Sequence, residues 1–134
     1  MNRRKTREIA IKLTYSLMIQ QIDYKTVIEN FKEVEDKEDE DLKDVDFTFV
    51  ETILSGISEN KSNYEELVSQ NLIGWKLNRI SKLNLAILLV AIYEIKNIDD
   101  IPKAVSINEA VEIAKKYSDD KAPNFINSIL DKID

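Results

Sequence analysis

The sequence contains no cysteine and no histidine. The first absence excludes disulfides and thiolate metal sites, and it fits a reducing compartment. The second removes the commonest general base and the commonest metal ligand. Ser-His-Asp and Cys-His arrangements are therefore impossible. A carboxylate-only metal site or acid–base pair stays open, but no spacing signals one. Gly56, Gly74, Pro102 and Pro123 are the only glycines and prolines. So few turn-forming residues argue against an all-β fold. Long apolar runs are also missing. The longest, "LAILLVAIY" from Leu85 to Tyr93, falls short of the roughly 20 residues that cross a bilayer. It reads as a buried helix, and no membrane association is expected. No secretory signal is visible either: Lys12 and Thr14 interrupt the first apolar stretch, and no small-residue cleavage site follows. The expected location is the cytoplasm.

The 134 residues, 43% hydrophobic and 33% charged, suit one globular domain over 1–134 with a real core. The formal charge of -6 is unevenly placed. "EVEDKEDEDLKDVD", Glu33 to Asp46, holds nine acids against Lys37 and Lys43, a net of -7 that leaves about +1 for the rest. The segment around 35–45 reads as a mobile, solvated acidic loop outside the core. Mimicry of nucleic acid, or shielding of a basic site, is the alternative.

Apolar spacing is helical nearly everywhere. Ile9, Ala10, Leu13 and Leu17 form one stripe, and Val27, Ile28, Phe31 and Val34 a second. Phe47, Val50, Ile53, Leu54 and Ile57 form a third behind Asp46, a plausible N-cap. Ser62 and Glu65 have capping-box spacing and predict a fourth helix through Leu67 and Val68. Leu77, Ile80 and Leu83, after Gly74 and Trp75, suggest a short fifth. Asn84 is expected to cap a central sixth, apolar almost all round. Ser106 and Glu109 again have capping-box spacing, ahead of Ile107, Ala110, Val111, Ala114 and Tyr117 on one face. A last helix begins near Pro123 and buries Ile126, Ile129, Leu130 and Ile133. The fold class is all-α, with seven or eight helices.

The opening, "MNRRKTREIAIKLTYSL", concentrates Arg3, Arg4, Lys5, Arg7 and Lys12 against one acid, Glu8. Cations near a helix N-terminus oppose the macrodipole, which makes the cluster suggestive of a use. At 100° per residue, Thr6, Ile9, Ala10, Leu13 and Leu17 share one side. Arg4, Arg7, Ile11, Tyr15 and Met18 fall nearly opposite. Guanidiniums suit phosphate, and an aromatic offers a platform for an unstacked base. Nucleic-acid binding, protein contact and a merely solvated basic terminus all fit this pattern.

Further residues carry a resemblance. "SINEAVEIAKKY" (106–117) and "FINSILDKI" (125–133) resemble the closing segments of the NusB family of transcription antitermination factors. "WKLNRISKLNLAILLVAIYEI" and "RRKTREIAIKLTYSL" are similar to its central and opening segments, in the same order. Departures are Thr6 for a small Ala, Asn78 and Asn84 where acids are frequent, and Leu89 for Arg. Ala122 replaces a capping Ser, and Ser128 a Gly. The resemblance implies two small packed helical bundles and a non-catalytic adaptor. It implies binding of single-stranded boxA RNA from ribosomal RNA leaders. The implied protein partners are the NusE-type small-subunit ribosomal protein and, in a larger complex, other Nus factors and RNA polymerase. A homodimer is also possible. No cofactor is implied. Arg3, Arg4, Lys5 and Arg7 match the family's arginine-rich RNA-binding motif, and Tyr15 its tyrosine. Lys121, Asn124 and Phe125 match residues bordering the same RNA surface. Phe125 fits the core equally well. Asn108 and Glu109 read as helix-start capping, and Asn127 as a buried hydrogen-bonding residue.

Two other classes compete. A helical protein-interaction module without RNA binding would share the fold. A fragment of an RNA cytosine methyltransferase, to which NusB-like domains are fused, is disfavoured by the lack of a Gly-rich cofactor loop and a cysteine nucleophile.

Overall fold

Six α-helices appear among the described residues of the computed structural model, which are 2–35, 40–74 and 76–134. They are α1 (Arg3–Ile19), α2 (Tyr24–Glu35), α3 (Phe47–Gln70), α4 (Lys82–Asn97), α5 (Lys103–Tyr117) and α6 (Ala122–Leu130). Single 3-10 turns occupy Glu40–Asp44 and Leu77–Arg79. The expectation of seven or eight helices is thus corrected to six, and Trp75 lies outside the described residues.

The shortfall has local causes. α3 runs unbroken through Ser62 and Glu65, because the stripe of Val50, Ile53, Leu54 and Ile57 continues in register to Tyr64 and Val68. A continuous buried face outweighs an internal capping pattern. Leu83, expected in a short fifth helix, belongs to α4. Ser81, not Asn84, caps that helix: the Asn84 N–H donates to Ser81 Oγ at 3.1 Å. α5 starts at Lys103, directly after Pro102 with its φ of -59°. Ser106 and Glu109 therefore sit inside the helix, free to bond elsewhere. Two expected features do form. Asp46 Oδ1 accepts from the Phe49 N–H at 3.2 Å at the start of α3, and Pro123 lies in the first turn of α6.

α4 is the hub. Ala86 through Ile92 are all buried, and α4 packs against α1, α3, α5 and α6. α1, α2 and α3 gather on one flank of it, and α5 and α6 on the other. The acidic segment does not stand wholly apart from this core. Residues 36–39 lie outside the described residues, but Leu42 and Val45 are buried. The Asn2 N–H donates to the Asp44 carbonyl at 2.8 Å, and the Asp46 N–H donates to Thr6 Oγ1 at 3.2 Å. Thr6, which stands where the resemblance suggested Ala, thereby ties the start of α1 to the start of α3.

Gly56 leaves room on α3 for the Tyr93 ring of α4. A Cβ there would occupy the space held by the Tyr93 ring. Gly56→Ala is therefore expected to destabilise the fold by about 1 kcal/mol net, overpacking outweighing the gain in helix propensity. Urea denaturation measures this, and an unchanged midpoint would show that the ring moves aside freely.

Candidate nucleic-acid interface

The opening cations separate into two groups that sequence alone had placed together. Arg7 was expected on the outer face of α1 beside Arg4. Instead its side chain is 4% exposed. Its Nε donates to both carboxylate oxygens of Glu94 on α4, at 2.9 and 3.0 Å. Ser106 Oγ donates to the same carboxylate at 3.4 Å. Glu109 approaches from α5, 3.7 Å from Arg7 Nη1, and accepts from Arg4 Nε at 2.8 Å. Two arginines and two glutamates thus fasten α1 to α4 and α5. Hydrogen bonding and the charge of Glu109 hold the Arg4 guanidinium above its ordinary value. Glu109 and Ser106, expected as capping residues, are the α5 half of this fastening. Buried Arg7 has no surface to offer a phosphate.

The solvent-facing stripe of α1 is therefore different from the one the helical wheel gave. Lys5, Glu8, Lys12 and Tyr15 line an open cleft of about 490 Å³, and Tyr117 and Leu83 line it too. Ile9, Ile11, Phe31, Leu42 and Ile113 complete its walls. Ile11, assigned to the outer face, is buried. Tyr117, assigned to the core face of α5, is 51% exposed, and Tyr15 is 38% exposed. Lys116 Nζ sits 5.0 Å from the Tyr117 ring centroid and donates to Glu8 Oε1 at 3.0 Å. Hydrogen bonding to Tyr117, then to Glu8, raises the Lys116 pKa. Lys12 Nζ lies 5.2 Å from the Phe31 ring centroid. Arg3 is exposed, with its guanidinium 5.8 Å from the centroid of Phe49.

The other candidates lie on and just before α6. Lys121 and Asn124 are exposed, and the Lys121 N–H donates to Asp119 Oδ1 at 3.0 Å. Phe125 is half-buried and packs against the core. None of these three lines the cleft. Asn127 is exposed rather than buried, and its Nδ2 donates to Asp131 Oδ2 at 3.3 Å. Among the described residues, no carboxylate cluster is placed to hold a metal ion, and no helix is long and apolar enough to cross a membrane.

Comparison with known proteins decides the lineage. Residues 4–134 match the NusB family. The chain belongs to that family. A curated relative from Clostridium novyi, transcription antitermination protein NusB, is 44% identical over 97% of this chain and 96% of its own. The protein of the same name from Clostridium botulinum strain Loch Maree is 44% identical over 99% of each. A solved structure of T. maritima NusB superposes with a TM-score of 0.82 and 32% identity, over 99% of this chain and 90% of that one. The NusB fold thus accommodates this chain's departures. Buried Leu89 lies in the α4 core, and Asn84 Oδ1 accepts from Ser118 Oγ at 2.7 Å.

Sequence reasoning missed Lys12, Glu8 and Tyr117 as parts of one surface of this NusB-family chain. The signal was present: positions 5, 8, 12 and 15 recur at helical spacing. It was hidden because a two-sided wheel assumes one buried face, whereas α1 packs on α2, α3 and α4 and keeps only a narrow stripe for solvent.

Proposed function

We propose that the chain acts in transcription antitermination as a non-catalytic adaptor. It binds single-stranded boxA RNA of ribosomal RNA leaders together with the NusE-type ribosomal protein, within a complex of other Nus factors and RNA polymerase. The observation that carries this reading is the stripe of Lys5, Lys12 and Tyr15 facing a cleft with Tyr117. Exposed Arg3 and Arg4 lie at the N-terminal end of the same helix. Cations there attract phosphates, and the tyrosines accept bases that have left a stack. The near full-length likeness to relatives named for antitermination supports the same reading.

With Arg7 committed to Glu94, the arginine-rich opening 3–7 keeps Arg3, Arg4 and Lys5 as candidates for phosphate contact. About three neutralised phosphates on a single strand give a log–log salt slope near -2. Replacing Arg3 and Lys5 with alanine should weaken binding of a fluorescein-labelled boxA oligonucleotide and bring the slope to about -0.7. Anisotropy titrations at several salt concentrations measure both. Equal affinity and equal slope for the two proteins would place the RNA elsewhere.

A further inference from the structure

We propose that Thr6 is a positioning residue for RNA binding: its hydroxyl clasps the start of α1 to residues 42–46, and the clasp pre-orders Arg3 and Lys5 for phosphate. This rests on the RNA-binding reading above and adds to it a side chain that RNA does not touch. Thr6 is 1% exposed, so its effect on RNA passes through its bonds. Thr6 Oγ1 donates to the Asn2 carbonyl at 2.8 Å and accepts from the Asp46 N–H at 3.2 Å. Asn2 is the N-cap of α1, and its Oδ1 accepts from the Lys5 N–H at 2.9 Å. The Asn2 N–H donates in turn to the Asp44 carbonyl at 2.8 Å. Buried Leu42 and Val45 hold that segment on the core.

The clasp also reaches Arg3 from the other side. Asp46 Oδ1 caps the Phe49 N–H at 3.2 Å, and the Phe49 ring centroid lies 5.8 Å from the Arg3 guanidinium. One hydroxyl therefore links the turn that carries Arg3 to the turn that carries its aromatic support. The need for such a link follows from charge. Arg3, Arg4 and Lys5 occupy the first turn of α1, which has no acid of its own. Cations there oppose the helix dipole, and helix ends are the first places to fray. Arg4 has a further tie in Glu109. The Lys5 N–H is held by Asn2, and Asn2 is held by Thr6 and the Asp44 carbonyl. An opening already in helical register loses less conformational entropy when phosphates bind. A frayed one binds more weakly, in proportion to the fraction still ordered.

The test compares wild type, Thr6→Ala, Thr6→Ser and Arg3→Ala. Labelled boxA RNA is titrated at several salt concentrations, and backbone order parameters of the free proteins are measured by NMR relaxation. Alanine is smaller than threonine and fits the same space, so the fold should be kept. Loss of the hydroxyl should weaken RNA binding about fivefold, the effect of one ordinary hydrogen bond. The salt slope should stay unchanged, because no phosphate contact is removed. Arg3→Ala should instead make the slope shallower. In free Thr6→Ala the order parameters of Arg3 to Thr6 should fall from about 0.85 to about 0.6, with those of α4 unchanged. Thr6→Ser keeps the oxygen and should restore affinity and order. Wild-type affinity in Thr6→Ala, or wild-type order at Arg3 to Thr6, would overturn the positioning role while sparing the RNA-binding reading. So would an equal loss of order in α4, which would mean general loosening, or a slope as shallow as that of Arg3→Ala. Absence of RNA binding by wild type, with and without the partner protein, would overturn the positioning role and the RNA-binding reading together.

Discussion

Replacing Arg7 with alanine is expected to cost the fold about 3–5 kcal/mol, the loss typical of breaking a buried ion pair. Glu94 is 1% exposed, and without Arg7 its charge would be left buried on α4 with only Ser106 Oγ at 3.4 Å. Domains of this kind have about 5–15 kcal/mol in total, so the variant should lose a large share of its stability and unfold at a clearly lower urea concentration. Glu94→Ala should do similar harm by stranding the guanidinium. The double replacement Arg7→Met with Glu94→Leu should recover most of the loss, because an apolar pair of similar volume carries no desolvation penalty. Urea denaturation of the four proteins measures this. A double-replacement protein no more stable than Arg7→Ala would show that the stranded charge is not what costs the single variant its stability. One consequence concerns RNA experiments. Loss of binding in an Arg4→Ala, Arg7→Ala protein would report a damaged helix junction as much as missing phosphate contacts.

That example shows where the sequence was legible and where it was not. The all-helical class followed from apolar spacing and scarce glycine and proline. The α1 and α3 stripes, the Asp46 cap and the start of α6 were readable because each depends on neighbours within one or two turns. Other features depend on partners far along the chain. Arg7 meets Glu94 across 87 residues, and Arg4 meets Glu109 across 105. No periodicity distinguishes an arginine that faces water from one that faces a buried glutamate. The Ser106–Glu109 spacing misled for the same reason: it fits a capping box, but both side chains serve the contact with α4 and α1. Leu42 was obscured by the acids around it, although one apolar residue suffices to draw a segment onto a core. Tyr117 showed the reverse: its spacing predicted burial, but the helix ends there and its ring remains exposed.

Removing Arg7 from the phosphate-binding set sharpens the expectation for the complex. Arg3, Arg4 and Lys5 give chiefly sequence-tolerant attraction, and Arg4 is already shared with Glu109. The acidic stretch from Glu33 to Asp46 adds negative potential, and its end is bonded to the start of α1. The chain alone should therefore hold RNA weakly. Under the proposed function, a second protein that extends the cationic surface would supply the missing affinity. BoxA RNA is expected to bind the complex with the NusE-type protein at least tenfold more tightly than the chain alone, a gain of about 1.4 kcal/mol or more. By linkage, RNA tightens the protein–protein contact by the same factor.

The most direct measurement is a titration of labelled boxA RNA at fixed salt, with the chain alone and with the chain saturated by its partner. A correction is made for RNA binding by the partner itself. A dissociation constant lowered at least tenfold in the complex is the predicted result. Identical dissociation constants in the two titrations would contradict the adaptor account, even though the fold and the family would stand.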